Sequence, residues 1–156
     1  VSLTDGKSKD QESYTQLLSQ IANKNVIRMN YTFQNCKNLK SIPILPSGVR
    51  SLGDTFMNCE SLTSVPEIPD TVTSMVNTFS GCTSLTTVPR IPGSVTVMQC
   101  TFKDCTALSG IVTIDAVPTD YRDCFAGTVQ PIVLMGSSSK LAEIAATATN
   151  NNVTVR

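Results

Sequence analysis

The chain contains no histidine, and this absence excludes more functions than any other feature of its composition. Histidine is the most versatile general base and the commonest metal ligand, so Ser-His-Asp, Cys-His and ordinary zinc-hydrolase chemistry are excluded within this chain. Tryptophan is also absent, and aromatic residues make up only 5% of the 156 residues, which leaves few large side chains for stacking on sugars or bases. We expect shallow, polar recognition, with no catalytic residue, metal or cofactor.

The chain also lacks a net charge, because 12 lysines and arginines balance 12 aspartates and glutamates. This balance leaves no overall basic field to attract nucleic acid or an anionic membrane. No apolar run approaches the roughly 18 residues that span a bilayer. With 40% hydrophobic residues, residues 1–156 are expected to form one domain with its own core. We expect a monomer that has no nucleic-acid partner and does not insert into a membrane.

The sequence does contain a 23-residue repeat that runs without insertion or deletion through five copies. One unit reads [ML]-x-x-x-F-x-x-C-x-x-L-x-x-[IV]-P-x-[IL]-P-x-x-V-x-x, and its two prolines occur in the first three copies. Its columns include Phe33, Phe56, Phe79, Phe102 and Phe125; Cys36, Cys59, Cys82 and Cys105; Leu39, Leu62, Leu85 and Leu108; and Ile42, Val65, Val88 and Ile111.

Apolar residues recur three or four apart through each whole unit, a pattern that fits neither a long helix nor a half-buried hairpin. The repeat therefore predicts a solenoid in which each unit forms one turn, with these side chains pointing inward and stacking at about 4.8 Å. Residues 86–88 and 94–98 are strand candidates, and residues 76–82 fit a tight helical turn. Stacked prolines interrupt any ladder of strands, because proline lacks the donor.

The two ends depart from the repeat, as a capped array requires. Residues 11–24 carry an apolar helical stripe of Tyr14, Leu17, Leu18, Ile21 and Ala22, with Ser8 or Asp10 as the N-cap. Near the other end, residues 131–135 and 153–155 are predicted strands, and residues 139–148 are a predicted helix. We therefore divide the domain into an N-terminal cap (1–28), repeats (29–135) and a C-terminal cap (136–156).

The unit F-x-x-C-x-x-L-x-x-[IV]-P, followed by P-x-x-V-x-x-M, resembles the BspA-like leucine-rich repeats of bacterial surface proteins. The resemblance covers residues 29–135 and implies a strand-rich α/β leucine-rich-repeat solenoid of about five turns with short parallel strands. The sequence departs from the family pattern after Leu108, where the prolines are lost and Thr128 stands in place of the fifth cysteine of the column. The fifth turn is therefore expected to be irregular.

The six cysteines do not form a simple disulfide pattern, because four of them share one core column. Stacked cysteines have parallel Cβ vectors at the interstrand spacing, wider than the roughly 3.8 Å that a disulfide prefers, so we expect buried free thiols. Cys100 and Cys124 are predicted diagonal neighbours, and the sequence leaves both a disulfide and two free thiols open for them. A metal site at Cys100 and Cys105 is not expected, because no second ligand pair accompanies them.

Any binding surface must lie on the outward columns, among which Glu67 and Arg90 are expected to form an exposed pair worth at most about 1 kcal/mol. Our candidate binding surface comprises Lys40, Thr63, Thr86 and Ser109, with Ile44, Glu67, Arg90 and Thr113. The resemblance implies a non-catalytic binding or adhesion module of a bacterial cell-surface or secreted protein, with a protein or glycan of the host or of a neighbouring cell as its partner. The alternative is a structural spacer that displays other domains and has no ligand of its own.

Overall fold

The computed structural model describes residues 11–22, 25–42 and 44–156 of the chain. Regular secondary structure in this part is sparse and lies mostly towards the C-terminal end. Its elements are α1 (Gln11–Ala22), β1 (Gly110–Thr113), β2 (Ile132–Met135), α2 (Leu141–Ala145) and β3 (Val153–Val155). The remaining described residues form turns and extended segments that recur with the period of the sequence repeat.

Residues one repeat apart lie directly over one another. The rings of the five column phenylalanines stack with centroid separations of 5.2 to 5.9 Å. Backbone bonds connect successive units in the same way, since the Met75 N–H donates to the Val97 carbonyl at 2.9 Å and the Phe79 N–H to the Thr101 carbonyl at 3.0 Å. We therefore call each unit a coil and number the coils from one to five by their phenylalanines, Phe33 to Phe125.

The predicted helical turn at residues 76–82 is wrong. Asn77 and Gly81 have φ angles of 51° and 74°, which no right-handed helix contains. The segment is a run of β-turns in which Ser80 N–H donates to Asn77 O at 3.2 Å and Cys82 N–H to Phe79 O at 3.0 Å. The alternate amides, such as that of Phe79, donate to the next coil instead. Each unit thus closes its own turns and bonds its neighbour through alternate residues.

The strand candidates at 86–88 and 94–98 do not form strands. Residues 86–88 make no bridge, and residues 94–98 make only single parallel bridges at Val97, which belongs to the bridged column of Arg28, Ser51, Ser74, Val97 and Asp120. In contrast, β1, β2 and β3 form a parallel sheet in that order, with Gly110 opposite Ile132 and Ile132 opposite Val153. Val112 of β1 occupies the column of Pro66 and Pro89, so the donor that proline lacks is restored and the ladder extends.

The strand predictions near the C-terminal end are confirmed by β2 and β3, and the predicted helix at 139–148 is present but shorter, as α2. Pairing partners in this sheet are closer in sequence than the stacked residues of the earlier coils. Gly110 and Ile132 are one position closer together than the 23-residue period, and Ile132 and Val153 are two positions closer. The repeat therefore shortens where it was expected to become irregular, although Thr128 itself stays fully buried.

The core consists of the predicted inward columns, with every column phenylalanine and cysteine buried. One member was misplaced, because Ile111 is 60% exposed and Val112 points inward in its stead. Alternation along β1 accounts for this exchange, since neighbouring strand residues face opposite sides of a sheet. Val65 and Val88, of the same column, are half-buried against the core.

The N-terminal helix is present as α1 (Gln11–Ala22), and residues 23 and 24 of the predicted helix lie outside the described residues. The predicted caps Ser8 and Asp10, and the side chains of Tyr14, Leu18, Ile21 and Ala22, lie outside the described residues. Met29, Phe33 and Leu39 of the first coil are nevertheless fully buried, although only one coil lies beside them.

Candidate interaction surface

The structure joins one of the two candidate columns from coil to coil, on the side of the coils that leads into the sheet. Backbone bonds of 3.1 to 3.3 Å connect Lys40, Thr63, Thr86 and Ser109 from each coil to the next. Six of the eight candidate side chains are exposed, including Ile44 at 53%, while Ser109 and Thr113 are half-buried. The inward and outward assignment of this surface therefore follows the repeat.

The threonine hydroxyls of this surface also hold the coils together. The Thr63 hydroxyl donates to the Lys40 carbonyl at 3.4 Å, and the Thr86 hydroxyl to the Thr63 carbonyl at 3.2 Å. Because each hydroxyl proton is directed at the backbone, a ligand meets the remaining lone pairs of these oxygens. This surface therefore accepts hydrogen bonds at its threonines.

The predicted Glu67–Arg90 pair is wrong. Arg90 donates instead to Asp70 at 2.9 Å and to Asp115 at 3.1 Å, bridging three coils. The Ser137 N–H and hydroxyl also donate to Asp115, each at 2.9 Å, and these bonds together with Arg90 lower the pKa of Asp115. Arg90 is thus a bridge between coils, and Glu67 stays exposed without an ion pair among the described residues.

The buried cysteines donate hydrogen bonds across the coils. The thiols of Cys59, Cys82 and Cys105 donate to carbonyls of Phe33, Phe56 and Phe79, each at 3.1 Å. Burial raises the pKa of Cys82 to about 12 and also raises the pKa of Cys59. Of the two alternatives for Cys100 and Cys124, the structure has free thiols, as it does at all six cysteines.

The raised pKa values predict that the buried thiols resist alkylation. At about pH 8.5, iodoacetamide is expected to label native protein at the half-buried Cys100 first, because thiolates react and buried thiols do not ionise. Mass spectrometry of the peptides locates the label. Unfolding in guanidinium is the control and exposes all six cysteines. Labelling of Cys59 and Cys82 at the rate of Cys100 in the native protein contradicts the prediction.

Sequence reasoning missed a depression of about 430 Å³ lined by Thr119, Asp120, Tyr121 and Arg122. Its charged groups are already paired, since Arg122 donates to Asp120 at 2.7 and 3.0 Å and Tyr121 donates to Glu143. Of these contacts, only the Asp120–Arg122 ion pair could have been expected from the sequence, because a basic residue stands two positions after an acidic one. The depression therefore offers few polar groups that are not already bonded.

The described residues contain no group of three or more acidic or cysteine side chains arranged to hold a metal ion. Neither α1 nor α2 has the length and apolar character of a membrane-spanning helix.

The sequence profile of the BspA type leucine rich repeat region (6 copies) matches residues 14–154. This match confirms the resemblance and extends it beyond the bounds of 29–135, so much of both predicted caps lies within the family region. No curated protein and no solved structure matches the chain significantly.

The matched region covers most of the chain and supports a repeat solenoid, in agreement with the stacked coils. Repeats of this family are typical of bacterial surface proteins and are generally non-enzymatic modules of protein interaction. The chain belongs to the BspA-type leucine-rich repeat family.

Proposed function

We propose that this domain is a non-catalytic binding or adhesion module of a bacterial cell-surface or secreted protein. It recognises a protein or glycan of the host or of a neighbouring cell through the two outward columns. Within the repeat solenoid, residues 29–135 form about five turns, residues 1–28 form the N-terminal cap and residues 136–156 the C-terminal cap. The isolated domain is a monomer before it meets its partner.

The observation that carries this proposal is the contrast between inward and outward columns. The inward column holds phenylalanine in all five coils, whereas one outward column changes its chemistry in every coil. Its members are an apolar, an acidic, a basic and a hydroxyl side chain: Ile44, Glu67, Arg90 and Thr113. A spacer needs only a soluble coat, whereas a varied surface on a regular scaffold is typical of recognition.

The rigidity of the scaffold favours binding. Hydrogen bonds from backbone amides, threonine hydroxyls and cysteine thiols fix each coil to the next. A surface held in this way loses little conformational entropy when a partner docks. The outward side chains thus meet a partner with their backbone already in place.

Side chains support the C-terminal cap. In the interior, the N–H groups of Phe102 and Asp104 donate to backbone carbonyls of the fifth coil. In the fifth coil, the N–H groups of Phe125 and Gly127 donate at 3.0 and 3.1 Å to the hydroxyls of Thr147 and Thr149. These hydroxyls replace the carbonyls of a further coil. At the other end, the buried Phe33 requires a cover, and α1 is the described element that precedes it.

The proposal is tested by binding of the immobilised domain to extracellular-matrix proteins and to a broad glycan array. We expect saturable binding of one partner, and we expect Ile44→Asp and Glu67→Lys to weaken it about tenfold or more, since anchor truncations at interfaces cost about 2 kcal/mol. Val117→Asp and Glu12→Lys make the same chemical changes at exposed positions outside the outward columns and are the matched controls.

Circular dichroism of every variant separates loss of binding from loss of folding, and the protein in guanidinium serves as the unfolded reference. Equal binding by all four folded variants contradicts recognition through the outward columns. If the domain binds none of these proteins and glycans, the proposal of a binding module is overturned and the structural spacer is favoured.

A further inference from the structure

The zero net charge conceals a segregation of charge along the stack. No acidic residue lies between Glu12 and Asp54, so the first coil and its approach carry only positive side chains. Asp54 and the three charged residues that follow it are all acidic, and the next basic residue in the sequence is Arg90. Among the first-coil cations, Lys37 is paired with Glu60 at 2.8 Å. The end of the stack that contains the first coil is therefore electropositive.

Two arginines of this basic end occupy diagonally adjacent backbone positions in successive coils. Arg28 is the bridge partner of Ser51, and Arg50 immediately precedes Ser51, with its N–H donated to the Ile27 carbonyl at 2.8 Å. Both side chains are exposed, and neither makes an ion pair or a side-chain hydrogen bond with the described residues. Arg90 and Arg122, by contrast, are paired with aspartates. Arg28 and Arg50 thus present two guanidinium groups available to an anion.

A straight row of threonines continues from Arg50. Thr73, Thr96 and Thr119 follow it at one-repeat intervals, and all three are exposed. Their hydroxyls donate at 3.1 to 3.2 Å to the carbonyl of the residue one coil earlier. Their protons are thereby used, so the oxygens face solvent as acceptors. We call Arg28, Arg50, Thr73, Thr96 and Thr119 the arginine–threonine strip.

We propose that the arginine–threonine strip binds an anionic polysaccharide, with carboxylate or sulfate groups on the arginines and sugar hydroxyls donating to the threonine oxygens. Guanidinium groups bind such anions through paired N–H donors, and a polyol supplies the donors that the threonines lack. A peptide partner usually buries large apolar side chains in pockets, and a row of threonines provides none. This inference rests on the proposed binding function and names a partner class and a second surface for it.

The test measures binding of the chain to heparin, a sulfated polysaccharide, and to polygalacturonate, a carboxylated one, with neutral dextran as the reference. We expect saturable binding to at least one polyanion that weakens as salt rises, because exposed charges are screened. Arg28→Gln with Arg50→Gln is expected to weaken binding about tenfold or more. The control, Lys103→Gln with Arg156→Gln, removes the same charge from another part of the surface and is expected to retain binding.

A second pair of variants locates the contact. Thr96→Glu places an anion in the strip and is expected to abolish polysaccharide binding, whereas Thr154→Glu makes the same change in β3, outside both named surfaces, and is expected to retain it. The two threonines are matched, since each is exposed and donates its hydroxyl to a carbonyl of the preceding coil or strand. Melting curves of both variants check that the fold persists.

Several outcomes overturn the inference. These are no polyanion binding, equal loss in the arginine and control variants, equal effects of the two glutamate variants, or tighter binding of polyglutamate than of either polysaccharide. The inference can fail while the proposed function holds. If Glu67→Lys removes binding of a partner while Thr96→Glu leaves all binding unchanged, the outward columns recognise a ligand and the strip does not.

Discussion

Replacing Phe79 with alanine is expected to lower the free energy of unfolding by about 3 to 5 kcal/mol. Phe79 has no exposed surface, and its ring lies between those of Phe56 and Phe102, with centroids 5.8 and 5.9 Å away. Both neighbours belong to coils fixed by backbone bonds, so the structure cannot close around the missing ring. Since domains of this size are stable by roughly 5 to 15 kcal/mol, the loss removes a large part of the total stability. Urea denaturation measures it.

Thr86→Ala is the control for the phenylalanine variant, because Thr86 belongs to the same coil as Phe79 but lies in an outward column and is exposed. It loses one solvent-accessible hydrogen bond to the Thr63 carbonyl and is expected to change stability by no more than about 0.5 kcal/mol. A similar fall in the urea midpoint for both variants contradicts the assignment of inward and outward columns.

Gly81→Ala is expected to destabilise the domain by about 2 to 5 kcal/mol, for two physical reasons. The φ angle of Gly81 is 74°, where a Cβ costs about 1 to 2 kcal/mol. That Cβ also falls 2.2 Å from Oδ1 of Asn58, which lies over the glycine from the preceding coil, and overpacking adds about 1 to 3 kcal/mol. Chemical denaturation gives the sum.

Gly110→Ala separates the two costs, because Gly110 has a φ of 78° but no atom within 4 Å of the position that a methyl group would occupy. It is expected to cost about 1 to 2 kcal/mol, the conformational part alone. Adding Asn58→Ala to Gly81→Ala removes the steric conflict, so the double variant is less destabilised than the sum of the single variants. Equal costs at the two glycines show that the Asn58 contact is unimportant.

The inward columns could be predicted from the sequence because a fixed period places equivalent residues at equivalent positions. Phe33 and Phe125 are four repeats apart, yet both stack in one row. The same reasoning assigned Thr63 and Thr86 to the surface. It failed at Ile111, which lies within β1, because the alternation of a strand replaces the geometry of the earlier coils there.

The local backbone could not be predicted in the same way. Residues 76–82 have the apolar spacing of a helical turn, but half of their amides donate to the next coil. That choice depends on contacts with the following repeat unit, which a local pattern does not report. The asparagine and glycine at positions 77 and 81 were the available sequence signal, since these two residue types adopt the positive φ that the structure shows there most readily.

Side-chain partners also escaped the column argument. Glu67 and Arg90 are one repeat apart and share a column, but Arg90 reaches Asp70 and Asp115, which are 20 and 25 residues away. A long guanidinium side chain crosses columns, so equal spacing does not decide its partner. The net charge misled in a similar way, because a sum of zero contains no information about the separate positions of Arg28 and Glu67.

The central claim, that each repeat unit is one coil of a continuous stack, is tested most directly by deleting a unit. Removing residues 54–76 joins Gly53 to Asn77 and keeps every later column in register, with the Asn35 side chain over Gly81. Removing residues 54–73 instead shifts the register by three positions. Thermal melting followed by circular dichroism should show a cooperative transition for the first deletion and none for the second. If both deletions unfold the chain, or both melt alike, the stack of coils is contradicted.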